Sequence, residues 1–356
     1  MIKYLPLTLI AVIAGGGGYY IYSNQNTGTD LPESEISLNE QIVLDTDKGK
    51  APKPTDHPLS INYLKNGEYP GSDLVVEQTL GAGSNYHRYI VSYKSEGLKI
   101  YALLTVPNAE KPEGGWPVIV FNHGYIPPAQ YKTTERYIAY TDAFSRNGYI
   151  LLRPDYRGHG NSEGEATGGY GSNAYTIDVL NAVSSIKKYP DANPNKIGMW
   201  GHSMGGPITL ENMVVRDDVR VGVIWAGVVA PYEDLLSRWR RRSQNQAQPP
   251  SPNLSGRRSW RVELVENFGE PEENPEFWHT LSANYYLESV SGPIQIHHGT
   301  NDESVPVEFS EILYNQLLLA DKEAEIHIYD GDDHNLTYNL NVALQRSVDY
   351  FDQYLK

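Results

Sequence analysis

Residues 196–207 read K-I-G-M-W-G-H-S-M-G-G-P, and within them Gly201-His202-Ser203-Met204-Gly205 forms a G-x-S-x-G pentapeptide. No other feature constrains the chain as tightly. A strand must turn sharply into a helix with the serine at the apex, and glycines at 201 and 205 remove the side chains that would collide in so tight a turn. Ser203 Oγ is then expected to stand exposed at the carboxyl end of a strand, with the Met204 amide facing the same space. The flanks agree. Residues 197–200 are a short apolar run suited to a buried strand. Pro207 falls early in the next helix, where a missing N–H costs little, and residues 208–215 continue that helix.

The surrounding pattern predicts the same architecture. Residues 74–80, 86–93 and 98–106 read as three strands rich in Val, Ile and Tyr, separated by polar turns. After the breaker P-E-G-G at 112–115 comes a strongly apolar strand, 118–121. Residues 131–146 read as an amphipathic helix closed by Asn147-Gly148, 149–153 as a strand, and 173–189 as a helix ended by Pro190. Further strands follow at 221–225, 294–297 and 325–329, and a closing helix at 341–355. Strands alternating with helices give a mostly parallel sheet with helices on both faces. Residues 231–290 interrupt the alternation with far more chain than a connection needs. They hold a polar low-complexity piece, 243–255, and seven arginines: Arg238, Arg240, Arg241, Arg242, Arg257, Arg258 and Arg261. An insertion at the carboxyl edge of the sheet is expected to lie over the site as a cap. Residues 57–356 are thus expected to form one domain, with N-terminal strands over 74–106 and a cap insertion at about 231–290.

Ahead of that domain, residues 4–22 carry no charge, and nineteen residues at helical rise nearly span a bilayer. Lys3 supplies positive charge on one side, and Tyr19, Tyr20 and Tyr22 suit the far interface. No A-x-A site follows the apolar run, which favours a signal-anchor over a cleaved signal peptide in 1–22. Either way the rest of the chain is expected outside the cytoplasm, membrane-anchored or secreted. Residues 23–56 are polar and read as a linker. The formal net charge of −15 argues against a nucleic-acid partner, since phosphate binding needs a basic surface. The absence of cysteine excludes disulfides, thiolate chemistry and cysteine-ligated metals.

A serine hydroxyl needs a base within hydrogen-bond reach, and the base needs a third group to orient it. His334 is the best base, because it follows the last strand in the loop D-G-D-D-H-N. The orienting acid is expected between Ser203 and His334 along the chain. Asp302 fits, in the loop G-T-N-D-E-S-V-P after the strand I-Q-I-H-H. Glu303 could substitute for it; Asp332 and Asp333 lie on the base's own loop and suit the role less. His123, His159, His202, His297 and His298 also lie near strand ends, where a packed core histidine is the commoner outcome. His297-His298 suggests a metal, but no partner stands at ligand spacing. A developing oxyanion needs preorganised donors. The Met204 amide is one, and the Tyr125 amide, in the loop N-H-G-Y after strand 118–121, is the other candidate. No cofactor is implied.

Taken together, these residues resemble the α/β-hydrolase superfamily and, within it, the catalytic domain of the prolyl-oligopeptidase family, including its acylaminoacyl-peptidase and dipeptidyl-peptidase-like members. The similarity covers residues 58–356 loosely and 116–334 well. It rests on F-N-H-G-Y, on R-P-D-Y-R-G-H-G-N-S-E-G at 153–164, on D-A-N-P-N-K-I-G-M-W-G-H-S-M-G-G at 191–206, on H-G-T-N-D-E-S-V-P at 298–306, and on D-D-H at 332–334. What the resemblance implies lands on Ser203 as nucleophile, Asp302 as orienter, His334 as base, and the Tyr125 and Met204 amides as oxyanion donors. One departure bears on substrate. Full prolyl oligopeptidases carry a propeller, whereas only about 115 residues precede the strand at Val118 here, so none is expected. Screening by the inserted cap is similar to the organisation of related esterases, feruloyl esterases among them. The expectation is a serine hydrolase working through an acyl-enzyme on a small-molecule ester. The alternative is a serine peptidase acting on short peptides. A non-catalytic binding module fits poorly with a complete set of nucleophile, acid, base and oxyanion loop. The arginine cluster suggests attraction of anionic substrates to the cap, set against the more ordinary outcome of a solvated or internally paired surface.

Overall fold

Strand alternation explains the centre of the molecule. In V-I-V-F at 118–121 every residue is fully buried, yet Val118 and Val120 pack into one apolar cluster while Ile119 and Phe121 pack into another. A strand buried on both faces belongs inside a sheet covered on both sides. The computed structural model describes residues 57–239 and 260–356. In chain order these form α1 (Ile61–Asn66), β1 (Val75–Thr79), β2 (Tyr86–Ser95), β3 (Leu98–Pro107), β4 (Trp116–Asn122), α2 (Ile138–Arg146), β5 (Ile150–Pro154), α3 (Ala174–Ile186), β6 (Ala192–His202), α4 (Gly205–Val215), β7 (Val219–Trp225), α5 (Tyr232–Ser237), α6 (Trp260–Phe268), α7 (Pro275–Leu281), β8 (Ile294–Gly299), α8 (Glu308–Leu319), β9 (Ala324–Tyr329) and α9 (Leu340–Leu355).

The sheet runs β1-β2-β3-β5-β4-β6-β7-β8-β9. β1, β2 and β3 pair antiparallel, and β3 pairs antiparallel with β5. Every later pairing is parallel. Residues of α3, α4 and α8 (Val179, Ile208, Leu313) join the cluster on one face, and residues of α2 and α9 (Phe144, Val348, Phe351) join the one on the other. This is the α/β-hydrolase architecture. Because β5 and β6 flank β4 on opposite sides, the chain reverses its winding there. Loops leaving the carboxyl ends of β4 and β6 diverge at such a switch point and open a crevice.

Two elements differ from the sequence reading. The helix expected over 131–146 begins only at Ile138. Arg136 and Tyr137 adopt left-handed backbone, with φ of 59° and 49°. The buried Arg153 guanidinium binds the carbonyls of Arg136 (2.9 Å), Glu135 (3.1 Å) and Thr133, so these acceptors serve a side chain rather than a helical ladder. Helix α8 was not anticipated, although Phe309, Ile312, Leu313 and Leu317 are buried at helical spacing.

Between β7 and β8, the described part of the expected cap comprises α5, α6, α7 and a 3-10 stretch, Ala283–Ser289. Tyr232, Leu264, Trp278 and Leu281 gather around Leu59. Trp239 donates to the Ser304 carbonyl at 2.9 Å, in the loop after β8. Arg238 pairs with Asp234 at 3.0 Å, and Arg261 donates to the Leu235 and Trp239 carbonyls at 3.1 and 2.9 Å. The other five arginines of that cluster lie outside the described residues, as do the expected anchor and linker. Among the described residues no helix is long and apolar enough to cross a membrane.

Candidate active site

Ser203 sits between β6 and α4 with φ of 55°, a left-handed conformation that costs a non-glycine residue about 1–3 kcal/mol. Its backbone is held on three sides. Ser203 N donates to the Trp225 carbonyl (3.0 Å), and its own carbonyl accepts from Gly206 N (3.0 Å) and Val228 N (3.2 Å). The glycines do what the turn requires. A Cβ on Gly201 would strike the Gly205 carbonyl, and one on Gly205 the Asn122 carbonyl at the end of β4. The Met204 amide lies at the start of α4, where helix N–H groups lack intrahelical partners.

The loops after β8 and β9 converge. Asp302 Oδ2 is 2.6 Å from His334 Nδ1 and 3.0 Å from His298 Nε2. Asp302 Oδ1 accepts from Ser304 N at 2.7 Å and Val305 N at 2.9 Å. The carboxylate side chain is 1% exposed. Burial opposes its charge, but the hydrogen bonds from His298 and His334 outweigh that and hold it well below the usual carboxylate range. An ionised carboxylate has no proton to give, so Nδ1 of His334 carries the hydrogen and its lone pair lies on Nε2.

Ser203, His334 and Tyr125 line one pocket of about 240 Å3, together with Gly124, Ile126, Arg136, Tyr137, Tyr140, His202 and Asn335. No described residue of the expected cap lines it. Gly124 must be small, because a Cβ there would come within 2.8 Å of the Tyr137 hydroxyl and 3.1 Å of Ser203 Cβ. The structure therefore brings the elbow serine, His334–Asp302 and the Tyr125 loop to one place. Glu303, exposed beside Asp302, and Asp332 and Asp333 stand apart from that arrangement. Asp332 accepts the amides of Tyr338 (3.1 Å) and Asn339 (2.9 Å), and Asp333 those of Asn335 (2.9 Å) and Thr337 (3.0 Å).

Strand geometry separates His297 from His298, since neighbours on a strand face opposite sides. His297 bonds Gln295 (2.6 Å) and Tyr329 (2.8 Å) in the core. His298 faces the site: its Nε2 also lies 3.1 Å from the Val305 carbonyl, and its Nδ1 2.7 Å from Ser310 Oγ. Because carboxylate and carbonyl oxygens only accept, Nε2 is the donor and Ser310 donates to Nδ1. His202 is buried, and burial, reinforced by His334, pushes it down to about 3. It is neutral at neutral pH. His202 Nε2 donates to the His334 carbonyl at 2.9 Å, so its Nδ1 accepts from the Tyr137 hydroxyl at 2.8 Å, and Tyr137 in turn accepts from Gly124 N at 2.9 Å. Sequence reasoning placed His202 and His298 only as core candidates and gave Tyr137 no role. The one available signal was their position at strand ends, next to the elbow and four residues before Asp302.

The geometry is that of a serine hydrolase, and the comparisons agree. Residues 117–275 match the family model described as serine aminopeptidase S33, and residues 252–356 match that of the prolyl oligopeptidase family. These two matches support an α/β-hydrolase similar to the prolyl-oligopeptidase family. It is 23% identical over 264 residues to the uncharacterized peptidase YtmA of Bacillus subtilis, covering 73% of this chain and 92% of that protein. It is 21% identical over 285 residues to a probable dipeptidyl-aminopeptidase B of Aspergillus terreus, covering 76% of this chain but 29% of that one. Similar folds are seen in Porphyromonas gingivalis dipeptidyl peptidase 4 (TM-score 0.57, 19% identity, 76% of this chain and 36% of that chain). They are also seen in acetyl xylan esterase 1 of Thermoanaerobacterium sp. (TM-score 0.58, 15% identity, 83% and 95%).

Proposed function

We propose that this protein hydrolyses carboxylic esters through an acyl-enzyme, with Ser203 as nucleophile, His334 as base and Asp302 as its orienter. The observation that carries the reading is the 2.6 Å bond from His334 Nδ1 to the buried Asp302 carboxylate, with His334 and the elbow serine lining one pocket. His334 Nε2 takes the Ser203 proton as Oγ bonds to the carbonyl carbon. The amides of Tyr125 and Met204 receive the negative charge on the former carbonyl oxygen. Collapse breaks the bond to the leaving oxygen, which takes the proton from Nε2. Water then repeats the sequence, with His334 as its base, and frees the acid and Ser203.

Esters are preferred on the character of the wall. Among the described residues that line it, there is no Asp or Glu to hold a peptide's amino-terminal ammonium. A peptidase with the same residues is the second reading, favoured by the coverage of 92% of the peptidase YtmA. Turnover of p-nitrophenyl esters and of aminoacyl and dipeptidyl p-nitroanilides, with Ser203→Ala as blank, separates the two. Ester turnover roughly a hundredfold above amide turnover supports the esterase. Comparable amide turnover gives the peptidase, and silence in both arms with folded protein removes the catalytic reading. Membrane attachment through residues 1–22, with the hydrolase outside the cytoplasm, is proposed on the sequence alone, and fractionation with protease accessibility tests it.

A further inference from the structure

Among the described residues lining the pocket at Ser203, Arg136 is the only Lys, Arg, Asp or Glu. Its setting is unusual in three respects. First, it occupies left-handed backbone at φ 59°, where a side chain is strained and glycine is not. The conformation persists because Arg153 Nη1 grips the Arg136 carbonyl at 2.9 Å. Strain held in place by surrounding structure clusters at functional sites.

Second, its guanidinium makes no hydrogen bond or ion pair with any described residue. Arg153, which grips the Arg136 carbonyl, is committed to three carbonyls. The nearby carboxylates are committed too. Glu135 pairs with Lys132 at 2.7 Å, and Asp333 holds the amides of its own loop. Third, its charge reaches the interior of the site. Burial raises the Tyr137 hydroxyl to about 12, and Arg136 is one of the cations working against that rise. In a chain of net charge −15, a lone uncommitted cation in this wall stands out.

The position also says which part of a substrate it meets. His334 must return its proton to the departing atom, so the leaving group lies on the His334 side of Ser203. Asn335, next to His334, lines the same pocket, and its carbonyl accepts from the Tyr140 hydroxyl of α2 at 3.1 Å; Arg136, two residues before α2, lines that pocket too.

We propose that Arg136 binds a carboxylate carried by the leaving group, so that the substrates are esters of hydroxy acids or phenolic acids rather than of neutral alcohols. A planar guanidinium with two parallel donors matches a carboxylate in geometry as well as charge. This rests on the serine hydrolase reading above.

The test uses the full chain and two esters with one acyl group, phenyl acetate and 3-carboxyphenyl acetate. Sharing the acetyl group makes deacylation common to both, so the difference lies in acylation. In Arg136→Gln the ratio of kcat/KM for the carboxylated ester to that for the neutral one falls about tenfold, the lower end for a charge-assisted hydrogen bond at an exposed site. Arg136→Lys falls between, and the wild-type preference shrinks as salt is raised. The ratio does not depend on how much of a variant folds. An unchanged ratio in both variants, or a wild-type ratio indifferent to salt, overturns the proposal. A second arm measures Ser203 phosphonylation by phenyl and 3-carboxyphenyl phosphonates, which requires an activated serine whether the enzyme is esterase or peptidase. The same ratio is expected there. Phosphonylation at equal rates by the two probes overturns the role of Arg136 alone; no phosphonylation overturns the serine hydrolase reading and this inference with it.

Discussion

The Tyr137 hydroxyl donates to His202 Nδ1 at 2.8 Å, and through this bond the two loops that face each other across the pocket are joined. On one side Tyr137 fixes the Gly124 amide, and on the other His202 fixes the His334 carbonyl. Gly124 precedes Tyr125, whose amide is assigned to the oxyanion. The linkage therefore sets the spacing between the proposed oxyanion donor and the proposed base, although neither Tyr137 nor His202 is asked to move a proton. A misplacement of such groups by a fraction of an ångström is felt in the chemical step.

Tyr137→Phe removes the link while keeping the ring. It is expected to lower kcat about tenfold with little change in KM, since the interaction acts through positioning rather than ground-state binding. His202→Ala breaks the same link at its next member. Links in series are not lost twice, so the double variant should match the worse single variant. Steady-state kinetics on the four proteins, corrected by active-site titration, provide the check. Additive losses would show that Tyr137 and His202 act separately.

His298 is a second positioning residue, and its effect is read on pH. Burial alone would raise the Asp302 carboxyl, and the hydrogen bonds from His298 and His334 reverse that. Asp302 must be ionised to hold His334 Nδ1–H. Removing the His298 donor in His298→Leu lets burial count for more, so Asp302 takes up a proton at a higher pH than in the wild type. The acid limb of kcat/KM should shift upward and the alkaline limb stay in place. The low Asp302 pKa also means that its stabilising contribution is present above the usual carboxylate range and is lost as pH falls through it. An acid limb that does not move would mean that His334 and the loop amides suffice to hold the charge.

The elbow makes the sharpest stability prediction. A methyl on Gly205 would land on the Asn122 carbonyl, which is backbone and cannot swing away. Gly205→Ala should cost about 2 kcal/mol or more, as overpacking commonly does, and should displace the end of β4 as well as the turn. Urea unfolding of the two proteins measures it. A cost below about 0.5 kcal/mol would mean that β4 and α4 part without resistance.

How much of this was legible in the sequence follows from how local each signal is. The strands at 118–121 and 197–200 and the elbow declared themselves because a doubly buried strand and a G-x-S-x-G turn are written in adjacent residues. Asp302 and His334, although 32 positions apart, could be located by their loops alone, because chain order and parallel strands bring those loops to one edge. The start of α2 could not. It is decided by Arg153, which lies beyond that helix and takes three carbonyls from 133–136. The same long-range grip turns Arg136 and Tyr137 toward the pocket, so both were hidden inside an expected helix. Within the β7–β8 insertion, Arg238 and Arg261 spend their charge on Asp234 and on two carbonyls, pairings that a count of arginines does not show.

The region behind the oxyanion loop gives a prediction about acid stability. His123 is fully buried between Tyr131 and Tyr156, with ring centroids at 4.8 and 4.2 Å, and its Nδ1 donates to the Gly124 carbonyl at 2.7 Å. Burial, helped by the neighbouring His159, pushes it down to about 3. In the unfolded chain it titrates near the ordinary histidine value of about 6.5. Below that value the unfolded state takes a proton that the folded state refuses, so the contribution of His123 is complete above pH ~6.5 and drains away toward pH 3, by at most about 1.4 kcal/mol per unit. Asp155, raised to about 6 mainly by burial, works in the opposite direction. Its folded form keeps a proton that the unfolded chain releases, so it favours the fold increasingly as pH drops through 6. The wild-type curve mixes these with other shifted groups such as His202, but the difference between wild type and His123→Gln isolates His123. Between pH 7 and pH 5 the wild type should lose about 2 kcal/mol more than the variant, measured by urea unfolding at both pH values. Equal losses would require His123 to be protonated within the fold, and so to have a partner for its second nitrogen among the tyrosines that surround it.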